Sequence, residues 1–155
     1  MDYYYGGIEA GGTKIVCAIA NNPEDVLAID EFPTSTPQET IPGIIQFFKT
    51  KVQSHRIKLS SLGIGSFGPL DLDKSSKTYG FITSTPKPGW QNVDFVSPFE
   101  EYLKTKVYFD TDVNVAAIGE KEWGAGQFLE NFLYLTIGTG IGGGAIIHGQ
   151  PLHGL

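Results

Sequence analysis

Two glycine-rich segments contain residue types suited to binding the phosphate groups of a ligand. The first is Glu-Ala-Gly-Gly-Thr-Lys at residues 9–14, and the second has five glycines in the seven positions 138–144. Glycine lets the backbone approach a ligand closely, and backbone N–H groups can hold a phosphate without a charged side chain. An ordinary hairpin turn is the alternative for each segment. The candidate phosphate-binding residues are Gly11, Gly12, Thr13, Lys14, Gly138, Thr139 and Gly140.

The first segment does not match two better-known phosphate motifs. A Walker A loop has the pattern Gly-x-x-x-x-Gly-Lys-Ser/Thr and leads into a helix, and residues 9–14 lack that spacing. A dinucleotide-binding fingerprint also opens a helix. Here residues 14–20 are short, apolar and rich in β-branched side chains, which predicts a strand. The first glycine turn therefore connects two strands.

Asp112 and Glu9 are the acidic residues best placed to do chemistry. Asp112 stands at the start of a predicted helix, whose dipole would keep the carboxylate ionised and able to accept a proton from a substrate hydroxyl. The alternative is a plain N-cap, a role that Asp110 or Thr111 could fill instead. Glu9 interrupts an apolar strand beside the first glycine turn, so it could bind Mg²⁺ directly or through water. The alternative is an edge-strand acid that faces solvent.

Two loops next to predicted strands, residues 68–71 and 85–90, lie where binding sites often occur. Trp90 could stack on a sugar ring, and a place in the core is the alternative. Trp123 ends a predicted helix and is expected to pack against it. No partner motif surrounds the three histidines, so surface positions are expected for His55, His148 and His153.

Composition excludes several classes of protein. The 155 residues are 41% hydrophobic and 18% charged, which is enough apolar material for a core and excludes a disordered tail. The net charge of −6 argues against binding nucleic acid. The single cysteine, Cys17, rules out an internal disulfide and is expected to be a buried apolar side chain. No apolar run is long enough for a membrane span and no signal peptide is present, so we expect a cytoplasmic protein.

The hydrophobic pattern predicts a mixed α/β fold with an antiparallel edge on a partly parallel sheet. Capping boxes formed by Thr36 with Glu39 and by Ser97 with Glu100 predict the starts of two helices, and a third helix is predicted over residues 112–123. One apolar face is predicted on the first helix, made by Ile41, Ile44, Ile45, Phe48 and Val52. Strands are predicted at residues 4–10, 14–20, 26–32, 62–67, 107–109, 132–137 and 144–147.

A weak internal repeat indicates how the chain is organised. Residues 11–19 align without gaps with residues 138–146, and both segments read as a glycine turn followed by an apolar strand. A second meander that begins near residue 132 indicates the opening of a second lobe. We therefore expect one lobe at residues 1–130 and the start of another at residues 131–155, in one half of a two-lobed protein.

Five motifs, in this order, resemble the N-terminal part of a ROK-family sugar kinase, within the actin-like ATPase superfamily. They occupy residues 7–14, 63–71, 85–90, 110–120 and 135–144. Glu9, where many relatives have Asp, and Thr111, where many have Asn, resemble the bacterial fructokinase branch of that family. The resemblance implies an actin-like ATPase (ribonuclease H-like) N-terminal lobe with a mixed sheet, followed by the first hairpin of a second lobe.

The same resemblance implies a function. It is the transfer of the γ-phosphate of ATP to the 6-hydroxyl of fructose with Mg²⁺, in which Asp112 is the catalytic residue. The sugar contacts it implies are Gly68, Pro69, Thr111 and Asp112. The alternatives are a glucokinase, a mannokinase, an N-acetylhexosamine kinase or a non-enzymatic sugar-binding regulator.

The resemblance also bears on partners and metals. It implies ATP and a small sugar as ligands, with no nucleic acid or membrane partner, and a homodimer when the protein is complete. The zinc-binding cluster of the family lies beyond residue 155, so no zinc ligand is assigned to this chain, and this portion alone is expected to be inactive.

Overall fold

Ten strands and three helices make up the structure, a computed structural model that describes residues 3–138 and 140–153. In chain order these are β1 Tyr3–Ala10, β2 Lys14–Asn22, β3 Asp25–Pro33, α1 Pro37–His55, β4 Lys58–Ser66, β5 Phe81–Ile82, β6 Val93–Asp94, α2 Ser97–Leu103, β7 Lys106–Thr111, α3 Asp112–Trp123, β8 Phe132–Ile137, β9 Ile141–Ile147 and β10 Gln150–Pro151.

The larger sheet has five strands in the order β3-β2-β1-β4-β7. The β1–β2 and β2–β3 pairs are antiparallel, whereas β1–β4 and β4–β7 are parallel. The predicted antiparallel edge on a partly parallel sheet is therefore confirmed. Because β1, β4 and β7 run in the same direction, their carboxyl ends meet at one edge of the sheet, and the segments that follow them begin side by side.

Helix α1 covers one face of this sheet. The predicted apolar stripe is confirmed, since Ile41, Ile44, Ile45 and Phe48 are all buried. Cys17 is also buried, as expected, and loss of solvation raises the pKa of its thiol to about 12. The middle of the core is aromatic because Trp90, Phe95 and Phe99 pack edge to face against one another.

The structure decides between the two roles left open for Trp90 and contradicts the one expected for Trp123. Trp90 is 0% exposed and its indole Nε1 donates a hydrogen bond of 2.8 Å to the backbone oxygen of Ser35, so it belongs to the core and cannot stack on a sugar. Trp123 is 65% exposed at the end of α3, so the expectation that it packs is wrong.

The helix starts also differ in detail from the predicted capping boxes. Thr36 is the N-cap of α1 without a side-chain hydrogen bond, and the Glu39 carboxylate accepts from the Ser35 hydroxyl at 2.9 Å. At α2 the cap comes from Asp94, whose Oδ1 accepts from the N–H of Ser97 at 2.9 Å. Both helices start near the predicted positions, but in the described part of the chain neither predicted capping box forms.

A separate sheet of three strands, in the order β10-β9-β8, follows α3 and packs against it. Its antiparallel β8–β9 hairpin matches the second predicted meander, and β9 begins at Ile141, three residues earlier than predicted. Helix α3 lies against β4, where a Cβ placed on Gly65 would come within 2.9 Å of the Val115 side chain. Helix α3 therefore lies between the two sheets. In the described part of the chain, no helix combines the length and apolar character that crossing a bilayer requires.

Candidate active site

Three neighbouring strand ends bring the first glycine turn, the 68–71 loop and Asp112 to one edge of the larger sheet. Ala10 at the end of β1 pairs with Ser66 at the end of β4, and Ser66 pairs with Thr111 at the end of β7. The first glycine turn follows β1, the 68–71 loop follows β4, and Asp112 follows β7. Segments that are far apart in sequence therefore leave the sheet at one edge, which is where ligands bind in open α/β sheets.

The first glycine turn is a tight connection held from outside by one threonine. The N–H of Gly11 donates to the Lys14 oxygen at 2.9 Å. The Thr34 hydroxyl donates to the Gly11 oxygen at 2.7 Å, and the Thr34 N–H donates to the Thr13 oxygen at 2.9 Å. Gly12 and Thr13 at its tip are exposed. The turn is thus a braced hairpin whose tip is open to a ligand.

Two lysines lie next to this turn. Lys14 donates to Glu31 at 2.6 Å, and this hydrogen bond and the Glu31 charge raise the lysine pKa. Lys87 donates from Nζ to the Gly12 oxygen at 2.7 Å. It belongs to the 85–90 loop, and sequence reasoning missed it because nothing local places that loop beside the turn. A cation therefore lies at the tip of the turn without a carboxylate partner among the described residues.

Glu9 lies on the face of the sheet opposite α1. It pairs with Gly65 of β4, which in turn pairs with Asp110 of β7, so Glu9 and Asp110 project from the same face about 10 Å apart. Its side chain is exposed, yet β1 is a central strand, so neither a buried acid nor an edge-strand acid describes it. Within residues 3–138 and 140–153 its carboxylate takes part in no hydrogen bond or ion pair. An exposed, unpaired carboxylate suits Mg²⁺, which keeps most of its waters and takes few protein ligands.

Asp112 is the first residue of α3 and is half-buried. Thr111 is the N-cap, because its hydroxyl accepts from the N–H of Asn114 at 3.3 Å, so Asp112 is not needed as a cap. The Oδ1 atom of Asp112 accepts from the N–H of Val113 at 2.9 Å. Burial nevertheless raises the pKa of this carboxyl above its ordinary value. Desolvation is therefore the larger influence on this carboxyl, and hydrogen bonds from backbone N–H groups at the helix start oppose it.

The loop that carries Gly68 and Pro69 is fixed against a neighbouring segment. The Pro69 oxygen accepts from the Thr83 N–H at 2.8 Å and from the Thr83 hydroxyl at 3.1 Å. Asp71 accepts from the hydroxyls of Ser76 and Thr78 at 2.6 and 2.7 Å, and these two bonds lower the pKa of Asp71. Gly68 and Pro69 thus start a braced loop beside the first glycine turn.

The second glycine turn connects β8 to β9, and two of its five glycines are explained by packing. A Cβ on Gly142 would lie 2.8 Å from Cγ1 of Val113, and one on Gly144 would overlap the Val113 backbone. Gly138 and Gly140 are different, since in the described part of the chain no atom lies within 4 Å of a Cβ built on either. Thr139 lies outside the described residues. The turn is therefore the tip of a hairpin that rests on the first turn of α3, next to Asp112. Gly138 and Gly140 remain candidates for ligand contact.

His153 has a partner that sequence reasoning missed. Its Nε2 lies 2.6 Å from Oδ2 of Asp110, although the two residues are 43 positions apart. The surface position expected for His153 is confirmed, since its side chain is 48% exposed, but its partner was not foreseen. No local pattern could have revealed this contact, because it depends on how the second sheet docks on α3.

Comparison with known proteins identifies the family of this chain. The sequence profile of the ROK family matches residues 5–155. The chain belongs to the ROK family. It is 51% identical over 155 residues to a fructokinase of Lactococcus lactis subsp. cremoris and 47% identical over 151 residues to a fructokinase of Zymomonas mobilis. These alignments cover 100% and 97% of this chain but 50% of each relative, so the chain spans about half the length of the curated relatives it matches.

A solved structure of the family is also similar. A ROK family glucokinase from Streptomyces griseus, in complex with glucose and AMPPNP, superimposes with a TM-score of 0.77 at 28% identity, covering 98% of this chain and 47% of that one. The predicted fold class, the mixed α/β fold of the actin-like ATPases, is confirmed by this match. The resemblance to the ROK family noted from five motifs is confirmed as well.

Proposed function

We propose that this chain is part of a kinase that transfers the γ-phosphoryl group of ATP to the 6-hydroxyl of fructose. The observation that carries the proposal is the edge of the larger sheet, where the first glycine turn and Asp112 emerge from paired strand ends. The two relatives named fructokinase, at 51% and 47% identity, support fructose as the acceptor. The Streptomyces griseus glucokinase complex with AMPPNP supports ATP as the donor.

Asp112 receives the proton of the acceptor hydroxyl in this proposal. Burial raises its pKa, and a carboxylate with a raised pKa is a stronger base than an exposed one. The position at the start of α3 leaves its second oxygen, Oδ2, for the substrate, since Oδ1 accepts from the Val113 N–H. Phosphoryl transfer proceeds through a loose transition state, so orienting the hydroxyl contributes as much as removing its proton.

The two glycine turns hold the phosphates from opposite sides. One side consists of Gly11, Gly12, Thr13 and Lys14, and the other consists of Gly138, Thr139 and Gly140. Backbone N–H groups at such turns hold phosphate oxygens with little reorganisation. Lys14 forms an ion pair with Glu31, so a bound phosphate would compete with that carboxylate for the ammonium group.

Glu9 provides the metal contact. Its exposed carboxylate lies beside the first turn and would hold Mg²⁺ directly or through water. When bound, Mg²⁺ neutralises charge on the β- and γ-phosphate oxygens. The sugar lies against Gly68 and Pro69 of the braced loop and against Thr111 and Asp112.

The larger organisation of the protein is also part of the proposal. The division after residue 130 separates two lobes, which the start of a second sheet at Phe132 supports. The complete protein is a homodimer that acts in the cytoplasm, and any zinc it holds is bound by residues outside this chain. Light scattering and metal analysis of the protein at the length of its relatives test the dimer and the zinc.

The direct test of function is turnover by the protein at the length of its relatives. Purified protein is incubated with Mg·ATP and, in separate reactions, fructose, glucose, mannose and N-acetylhexosamines, and ADP release is followed. We expect the highest kcat/KM for fructose, with the 6-phosphate identified by ³¹P NMR. A higher kcat/KM for another sugar would overturn the assignment of fructose as the acceptor and leave the kinase proposal in place. Absence of turnover with all of the sugars would overturn the kinase proposal in favour of a sugar-binding regulator.

A further inference from the structure

The contact between His153 and Asp110 joins two different parts of the molecule. Asp110 is the next-to-last residue of β7 in the larger sheet, and His153 comes two residues after β10 in the smaller one. The Leu152 N–H donates to the Ala145 oxygen at 2.8 Å, so the backbone just before His153 is fixed to β9. The position of the His153 ring is therefore set by the smaller sheet, while its hydrogen-bond partner belongs to the larger one.

Asp110 uses both carboxylate oxygens. Oδ2 meets His153 Nε2, while Oδ1 accepts from the Thr111 N–H at 2.7 Å and from the Asn114 side-chain amide at 2.9 Å. The Asp110 side chain is 15% exposed and Asn114 is buried. Bonds from Asp110 therefore reach residues on both sides of Asp112, one immediately before it and one in the first turn of α3.

We propose that His153 is a positioning residue for phosphoryl transfer. By holding Asp110, it fixes the first turn of α3 and thereby the direction of the Asp112 carboxylate. The inference rests on the proposed function, in which Asp112 receives the acceptor hydroxyl. Because His153 follows the sheet that carries the second glycine turn, the contact makes the alignment of Asp112 depend on the docking of that sheet.

The physical reason is geometric. A displacement of about 1 Å between reacting groups can cost on the order of 100-fold in rate. Without His153, only the two hydrogen bonds to Oδ1 restrain the Asp110 carboxylate, so its orientation, and with it that of Thr111 and Asn114, is held less firmly. A histidine that only stabilised the fold would change the unfolding temperature and leave kcat of the folded enzyme unchanged.

The test compares three variants of the protein at the length of its relatives. His153→Leu removes the ring nitrogen, His153→Gln keeps an N–H donor at a similar distance, and His148→Asn is the matched control. His148 belongs to the same sheet and has a positive φ of 49°, which Asn tolerates, and in the described part of the chain its side chain makes no hydrogen bond.

We expect His153→Leu to lower kcat on the order of 10- to 100-fold with little change in the KM for ATP. His153→Gln should restore most of kcat, and His148→Asn should match the unsubstituted protein. A kcat for His153→Leu equal to that of His148→Asn would overturn the inference.

A second measurement separates this inference from the proposed function. The ¹⁵N resonance of His153 Nε2 is recorded in the unsubstituted protein and in Asp110→Asn, which needs no turnover. We expect the resonance to shift in Asp110→Asn, and an unchanged resonance would overturn the inference. Absence of sugar phosphorylation by the unsubstituted protein would instead overturn the proposed function.

Discussion

Gly144 of β9 lies directly against the peptide backbone of Val113 in the first turn of α3. A side chain on Gly144 would overlap the Val113 carbonyl, so the strand can approach the helix this closely only because the residue is glycine. This contact docks the smaller sheet on the helix that begins with Asp112. Gly144, the last glycine of the second glycine-rich segment, is therefore explained by packing against α3.

Substituting Gly144 tests this docking. We expect Gly144→Ala to lower the free energy of unfolding by about 1–3 kcal/mol, because the backbone of α3 cannot yield to the added methyl group. Gly119→Ala is the control, since in the described residues no atom lies within 4 Å of a Cβ built on Gly119 in the interior of α3. That change should stabilise the protein by about 0.5–1 kcal/mol through helix propensity. Denaturant unfolding measures both, and a Gly144→Ala variant as stable as Gly119→Ala would contradict the packing.

The raised pKa of Asp112 should be visible in the dependence of activity on pH. The carboxylate must be ionised to receive a proton, so kcat should fall as pH decreases through the raised pKa. We expect the midpoint of this fall in kcat to lie above the ordinary pKa of aspartic acid, which is about 3.9. Asp112→Asn should lower kcat on the order of 10²–10⁴-fold. An acid limb at or below the ordinary value, or a variant that keeps most of its kcat, would argue against the role of Asp112.

The same burial has a consequence for stability. Between the ordinary and the raised pKa the folded state binds more protons at Asp112 than the unfolded state does, so this group makes stability fall as pH rises. We therefore expect Asp112→Asn to raise the melting temperature at pH 7, with a gain that shrinks as the pH is lowered through the raised pKa.

Asp73 provides the control for that measurement. It is an exposed aspartate whose pKa is lowered by hydrogen bonds from Ser75. Because the charged form of Asp73 is favoured in the folded state, Asp73→Asn should not raise the melting temperature at pH 7. Equal melting temperatures for the Asp112→Asn variant and the unsubstituted protein at every pH would show that burial of Asp112 costs nothing.

The same substitution should destabilise the protein at Trp90 and have little effect at Trp123. Trp90→Phe removes the hydrogen bond to the Ser35 oxygen and leaves a cavity in the aromatic core, so it should cost about 1–3 kcal/mol of unfolding free energy. Trp123→Phe, at an exposed position, should change stability by less than about 0.5 kcal/mol. Thermal unfolding of both variants decides the matter. Acrylamide quenching of Trp90 fluorescence adds a second check. We expect fructose to leave the quenching unchanged, because the indole is already buried, whereas a sugar-stacking role predicts that fructose reduces it.

The elements that the sequence predicted well are those whose signals are local. The apolar spacing from Ile41 to Phe48 and the glycine turn after Ala10 reflect backbone periodicity and turn chemistry, which neighbouring residues determine. Strand β4 begins at Lys58, four residues before the predicted start, because its first residues are strand only by pairing with β1. Pairing between strands that are distant in sequence is not evident from the residue pattern of a short segment.

The electrostatics of the site and its long-range contacts could not be read from the sequence. The Asp112 pKa depends on burial, and the start of α3 has β9 packed against it. The contacts of Lys87 with Gly12 and of His153 with Asp110 join segments separated by 75 and 43 positions. The motif at residues 110–112 predicted the acidic group that we propose as the proton acceptor, but only the packed structure shows which residues hold it.

The central claim is that the two glycine turns bind one triphosphate while Asp112 receives the sugar. A crystal structure of the protein at the length of its relatives, with fructose, Mg²⁺ and a non-hydrolysable ATP analogue, tests it most directly. We expect residues 11–14 and 138–140 to contact the phosphates and the Asp112 carboxylate to lie about 2.6–3.2 Å from the 6-hydroxyl of fructose. A complex in which either turn points away from the phosphates, or in which Asp112 faces bulk solvent, would contradict the claim.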